Sequence, residues 1–179
     1  KYKIFFARYG KGVTIDTGCF FTQPQNIVLE DDVRINRGCK IYGSGGVYIG
    51  RHTRIGPNVF IHSANHKSNK TVTPQYQSGH EIKKVSIGDG TLISENVSVL
   101  PGAIIGKECF FGAGSVVTNK KYTEMCRYAG NPAVEIKSRN SPVEEIVFKD
   151  RRVGLLVPDG DYWREFGQVL LSNIGVHQI

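Results

Sequence analysis

Branched or aromatic residues recur every six positions through most of this chain. The anchors are Ile15 and Phe21; Leu29, Ile35 and Ile41; Ile49, Ile55 and Ile61; Ile87, Ile93 and Val99; then Ile105, Phe111 and Val117. Gly often follows the anchor (Gly50, Gly56, Gly88, Gly106, Gly112). Four positions after an anchor comes a small or branched residue, among them Cys19, Val33, Cys39, Thr53, Val59, Thr91, Val97, Ala103, Cys109 and Ser115. A helix places its apolar residues three and four apart, so residues 13–119 are not helical; strict alternation by two fits only in part. A fixed period of this kind marks stacked repeats.

The interruptions carry as much information as the period. Phe21 to Leu29 is 8 residues, Ile41 to Ile49 is 8, and Ile61 to Ile87 is 26. Counted in steps from Ile15, the anchors before these gaps are congruent modulo three, which places every insertion at one corner of a three-sided coil. Three short strands per turn, about 18 residues, then stack at roughly 4.8 Å, the spacing of neighbouring strands. Large apolar residues fill the axis, and Gly or Asn turn the corners. The 21 glycines among 179 residues are what such a coil consumes.

Charge and cysteine narrow the function classes. Lys and Arg number 23 against 16 Asp and Glu, a net charge of +7. The basic residues are scattered, with groupings near 1–11 and 120–139 and no aromatic–basic platform, so nucleic acid is not the expected partner. Cys19, Cys39, Cys109 and Cys126 show no metal spacing, and the first three occupy inward positions where thiols act as small apolar fillers. No run reaches the ~18 apolar residues of a membrane helix, and no basic-then-apolar leader opens the chain, so a cytoplasmic setting is expected.

The segments IGRHTRIGPNVFIHSANH, VSIGDGTLISENVSVLPGAIIG, FFGAGSVVTNKK and YAGNPAVEIKSR, in this order, resemble the hexapeptide-repeat acyltransferases, and among them the galactoside- and maltose-type sugar O-acetyltransferases. The resemblance implies an all-β fold: a left-handed parallel β-helix, a triangular hexapeptide-repeat solenoid with one long loop excursion. It covers about 105 residues; residues 1–12 form a lead-in, 13–139 the β-helix with an excursion at 62–86, and 140–179 a C-terminal extension. In that extension 140–158 suggest extended chain or short strands. Trp163, Phe166, Leu170 and Ile174 then follow at helical spacing, which predicts a short helix.

Chemistry is expected where the repeat breaks, because loops on a rigid scaffold commonly carry it. The largest break holds His62, His66 and His80, with Asn65 and Glu81. Moving an acetyl group onto a hydroxyl requires a base near neutral pH, and histidine, with an unperturbed pKa of ~6.5, suits that task. Counting from Gly56-Pro57-Asn58, the family's catalytic histidine falls on His66. His62 reads as packing or solvent contact, His80 as exposed or substrate-contacting, and His52 as a solvated corner. Glu81 or a backbone carbonyl could orient the His66 imidazole.

The resemblance further implies acetyl-CoA as cosubstrate and no metal. It points to Ala113 and Thr118 for the pantetheine arm, and to Lys137 with Arg139 for the phosphates, Lys120 being another basic candidate. Glu95 stands where the family has Ser or Ala, Leu92 where Trp is common, and Val134 where a basic residue is usual. Asn36 occupies the position that contacts sugar hydroxyls, although Asn also tolerates left-handed corners. Arg34 beside it could reach an acidic sugar, and Tyr76 and His80 could add specificity. The implied partners are a sugar or glycan acceptor and two further copies of the chain, a homotrimer with sites between subunits. N-acetylation of a nucleotide-linked amino sugar and a non-catalytic β-helix used for assembly are the competing readings.

Overall fold

A computed structural model describes residues 5–67, 79–138, 146–148 and 151–153. Two units are distinguished, 1–139 and 140–179. In the second, Ile146–Phe148 and Arg151–Val153 pair as an antiparallel hairpin. The helix expected around Trp163 lies outside the described residues.

The first unit is the three-sided parallel coil that the period predicts, a β-helix of the left-handed class that the resemblance implies. Its three faces are parallel sheets of strands two to four residues long. The first face stacks Arg8–Tyr9, Ile27–Leu29, Val47–Ile49, Val85–Ile87, Ile104–Ile105 and Lys121–Tyr122. The second stacks Thr14–Ile15, Arg34–Ile35, Arg54–Ile55, Leu92–Ile93, Phe110–Phe111 and Cys126–Ala129, and the antiparallel strand Val134–Ser138 closes its end. The third stacks Phe20–Thr22, Lys40–Tyr42, Phe60–His62, Ser98–Val99 and Val116–Val117. The strand Arg8–Tyr9 already pairs with Val28–Leu29, so the coil begins within the stretch read as a lead-in.

Register converts the sequence period into axial ladders. Ile35 aligns with Ile55, Ile55 with Ile93, and Ile93 with Phe111. On the third face Phe21 aligns with Ile41 and Ile41 with Ile61. The three anchors that precede the insertions thus share one ladder, and all three insertions leave from the corner between the third and first faces. Anchors from Leu29 to Val117 are at most 3% exposed. Each such side chain gains roughly 1.5–3 kcal/mol by leaving water, which is how strands of two or three residues persist.

The small residues do more than fill space. The Cys19 and Cys39 thiols donate to the carbonyls of Asn36 and Gly56 at 3.1 Å, and the Thr53 and Thr91 hydroxyls donate to Gly88 and Gly106, also at 3.1 Å. Each bond ties a corner to the next coil and satisfies a group that would be costly to bury unpaired. All four cysteines are free.

Gly and Asn do turn corners, but at positions other than those directly after the anchors. The glycines after the anchors do not supply a left-handed turn. Gly88 has an ordinary φ, but a Cβ there would stand 2.6 Å from the backbone of Gly106 and Lys107 on the next coil. It is small because neighbouring turns touch. The left-handed residues sit two positions later and include Asp32, His52, Asn58, Asn96, Glu108 and Met125 as well as glycines. Asn36 is not among them, so the left-handed explanation of that asparagine fails.

Candidate active site

The long excursion does not leave the solenoid as irregular loop. Ser63 forms its foot: its backbone N–H and hydroxyl both donate to the Tyr42 carbonyl, at 3.2 and 2.7 Å, while its hydroxyl accepts from the Gly45 N–H at 2.8 Å. Ala64–His66 and His80–Ile82 then run as an antiparallel ribbon with Ala64 opposite Ile82, Asn65 opposite Glu81, and His66 opposite His80. The Lys67 N–H donates to the Gly79 carbonyl at 3.0 Å beyond the pair. Sequence reasoning missed this ribbon because its strands are three residues long and pair across 13 residues of intervening chain.

Pairing places the His66 and His80 rings 4.5 Å apart, both exposed. The Asn65 carboxamide oxygen accepts the His66 backbone N–H at 3.0 Å. Glu81 points to the ribbon's other side and pairs with Lys83 at 3.0 Å, so His80, not Glu81, is the side chain beside His66. The Lys83 ammonium also reaches the Asn119 amide oxygen at 3.1 Å, while the amide nitrogen donates to the Gly102 carbonyl at 3.1 Å. This link fastens the returning arm to the body of the solenoid.

His62 ends a third-face strand, half-buried against Tyr42 and Phe60, with ring centroids 5.0 and 5.6 Å away. Burial, and then the charges of His66 and His80, push its pKa below the usual histidine value. The fold therefore favours neutral His62. Its contribution to stability is complete above about pH 6.5 and is lost as pH falls toward the lowered folded value. Going from about pH 7.5 to about pH 5.5, the melting temperature of the native chain should fall further than that of His62→Gln. Differential scanning calorimetry at both pH values checks this, and equal decrements would exclude it.

The other expected residues separate onto two corners. Asn36, Glu95 and Ala113 lie along the corner between the second and third faces. The Gly114 N–H donates to the Glu95 carbonyl at 3.0 Å, so Glu95 and Ala113 are stacked one coil apart. The Asn36 carboxamide donates to the Ile55 carbonyl at 2.8 Å, which leaves its oxygen as the group that can face a ligand. Ala113 is exposed, and a Cβ on Gly114 would meet nothing within 4 Å, so this corner is open to a slender chain. Glu95 is exposed there too.

Thr118 and the His66 ribbon lie instead at the corner between the third and first faces. The Thr118 N–H donates to the Tyr122 hydroxyl at 2.8 Å. Lys120 is committed elsewhere: its ammonium donates to the Ala133 carbonyl at 3.0 Å and lies 4.8 Å from the Tyr122 ring centroid. Lys137 falls in the strand Val134–Ser138, but its side chain, like Arg139 and Tyr76, lies outside the described residues.

Arg34 projects from the second face, 60% exposed and 3.9 Å from Asp32. That carboxylate also takes Arg54 at 2.8 Å and His52 at 3.1 Å, and these two partners lower its pKa. His52 is the solvated corner expected of it. Among the described residues no group of three or more potential ligands is placed to hold a metal ion. Cys39 and Cys109 offer no nucleophile, since burial pushes Cys39 up to about 12 and Cys109 up to about 11.

Residues 84–119 match the family model described as bacterial transferase hexapeptide (six repeats). The chain is 35% identical over 117 residues to a galactoside O-acetyltransferase of Lactococcus lactis, covering 64% of this chain and 48% of that protein. It spans 61%, 56% and 48% of the length of three relatives that it matches at 38%, 36% and 35% identity. Among solved structures, it superposes on a galactoside acetyltransferase in complex with coenzyme A with a TM-score of 0.72 at 28% identity, covering 84% of this chain and 74% of that one. A maltose O-acetyltransferase from Clostridium difficile 630 gives 0.71 at 28% identity, covering 78% and 73%. Among the described residues no helix is long and apolar enough to cross a membrane.

Proposed function

Starting from a hexapeptide-repeat solenoid similar to the galactoside- and maltose-type O-acetyltransferases, we propose that this chain transfers an acetyl group from acetyl-CoA to a hydroxyl of a sugar, glycan or polysaccharide precursor. The observation that carries the reading is the exposed imidazole of His66, held on a two-stranded ribbon that leaves a rigid coil at its insertion corner. Acetyl-CoA supplies the activated acyl carbon. His66 takes the proton of the acceptor hydroxyl as its oxygen attacks, and a backbone N–H of the coil stabilises the oxyanion. His80 limits the positions open to the His66 ring. Asn36 orients acceptor hydroxyls through its free amide oxygen, and the open corner at Ala113 and Gly114 accommodates the pantetheine arm. A cytoplasmic setting, where acetyl-CoA is at hand, fits this reading.

The division of these residues between two corners supports a site built from more than one copy. Both corners border the third face, whose outer side carries Phe20, 52% exposed, in contact with Tyr42 and, through it, Phe60. Three copies packed with third faces toward a common axis would cover those rings. Each His66 ribbon would then stand beside a neighbour's Asn36 and Ala113.

Two experiments test the proposal. Release of free thiol from acetyl-CoA over a panel of saccharide acceptors tests the reaction, and no release with any acceptor excludes it. Co-expression of His66→Ala and Asn36→Ala chains tests the shared site. Random trimers should have both residues intact in about a quarter of their sites, so activity returns although either parent alone is impaired. Mixed trimers no more active than their parents would place the site within one chain.

A further inference from the structure

At the foot of the ribbon lies a groove of about 410 Å³, lined by Asn26, Ser44, Tyr48, Ile82, Lys84 and the Gly45-Gly46 backbone. Its volume falls within the roughly 300–1,000 Å³ of small-molecule sites. The ribbon's register fixes where the groove opens. Directly opposed residues of an antiparallel pair share a side, and alternate residues repeat it. His66, His80, Ala64 and Ile82 therefore lie on one side, and Asn65 and Glu81 on the other. Because Ile82 is a wall of the groove, the groove meets the ribbon on the side of the two imidazoles, about 7 Å along the strand.

The wall is kept bare by glycine. A Cβ on Gly45 would strike the Ser63 carbonyl and stand 2.7 Å from the Ile82 methyl, while Gly46 has φ +88. What remains is an aromatic ring, an amide, a hydroxyl and one cation. The Lys84 ammonium stands 5.8 Å from the Tyr48 ring centroid and has no ion-pair partner among the described residues. Lys83, by contrast, is held by Glu81 at 3.0 Å. The carboxylates whose charge reaches Tyr48 are Glu30 and Asp89. Glu30 is bound by Arg8 at 2.9 Å, and Asp89 accepts the Arg51 backbone N–H at 2.8 Å.

We propose that this groove is a second saccharide subsite, which receives a sugar bearing an anionic substituent adjacent to the unit presented to His66. The inference rests on the acetyltransferase reading and adds the substrate class. The pyranose lies against Tyr48, Asn26 and Ser44 bond its hydroxyls, and Lys84 pairs with its carboxylate or phosphate. Arg34, the cation the sequence offered for an acidic sugar, projects from the second face beside Asp32 and serves no part of it.

Saturation-transfer NMR and calorimetry on the full chain without acetyl-CoA test the proposal, with methyl β-D-glucuronide, glucose 1-phosphate and methyl β-D-glucoside as probes. At least one anionic probe should bind more tightly than the glucoside. Lys84→Gln should weaken that probe by about tenfold, Lys84→Arg should restore the preference, and Tyr48→Ala should weaken all three. Which anion binds better tells carboxylate from phosphate. Equal affinity for charged and neutral probes, or a preference that survives in Lys84→Gln, overturns the subsite. Thiol release assayed separately keeps the two readings apart. Transfer to neutral acceptors without an anionic preference removes only the subsite. Lys84-dependent binding with no thiol release from any acceptor removes only the acetyltransferase.

Discussion

Replacing His66 by Ala should lower kcat for acetyl transfer by about 10²–10⁴-fold, the usual worth of a positioned general base, and leave acetyl-CoA affinity nearly unchanged. The split follows from where the residue sits. His66 is on a ribbon outside the coil, whereas the open corner assigned to the pantetheine arm is formed by Ala113 and Gly114 two coils away in the stack. Removing the imidazole deletes a proton acceptor without touching that corner. Free-thiol release at saturating acetyl-CoA measures kcat, and calorimetry with coenzyme A measures the affinity. His80→Ala is the necessary companion, since the two rings are 4.5 Å apart. Near-native turnover in His66→Ala, with the loss appearing in His80→Ala, would transfer the base to the other arm.

Phe111→Ala should be among the most destabilising single substitutions, by about 3–5 kcal/mol. Phe111 is fully buried on the second-face ladder, stacked on Tyr128 at 5.1 Å and edge-on to Tyr122 at 5.3 Å, while Tyr122 and Tyr128 meet each other at 5.0 Å. These three rings fill the axis where the last turns close, and the Tyr128 hydroxyl donates to the Thr123 carbonyl at 3.0 Å. Truncation leaves a cavity that short strands in a continuous stack collapse into poorly. At about 2–4 °C per kcal/mol for a chain of this size, the midpoint should fall by some 6–20 °C. Thermal melting by circular dichroism reads this directly. A fall of only a degree or two would mean that the end of the solenoid repacks.

Much of the solenoid was legible because its rule is local. An anchor every six residues needs only nearby chain to be recognised, and the congruence of the three gaps locates the insertion corner. The shared ladder of Phe21, Ile41 and Ile61 is the same statement in space. Residues at the ends of this argument fared differently. The need for Gly88 was not legible in the sequence, since its neighbour is the backbone of Gly106, 18 positions away and adjacent only after coiling. Left-handed geometry was the alternative to a sugar-contacting role for Asn36, whereas its amide bonds the Ile55 carbonyl of the next turn.

The sequence by itself determined the three-sided coil, the residues on its axis and the corner from which the excursion leaves, because period and spacing are properties of the linear chain; it was the resemblance to the acyltransferases that singled out His66 among the excursion's histidines. Tertiary structure alone decided what stands beside what. The His66–His80 pair depends on strand register across the excursion, and the groove on the distance between Ile82 and the bare Gly45 wall. Such proximities arise from strand pairing in the ribbon and from the stacking of coils, which bring together residues 14 or more positions apart in the chain.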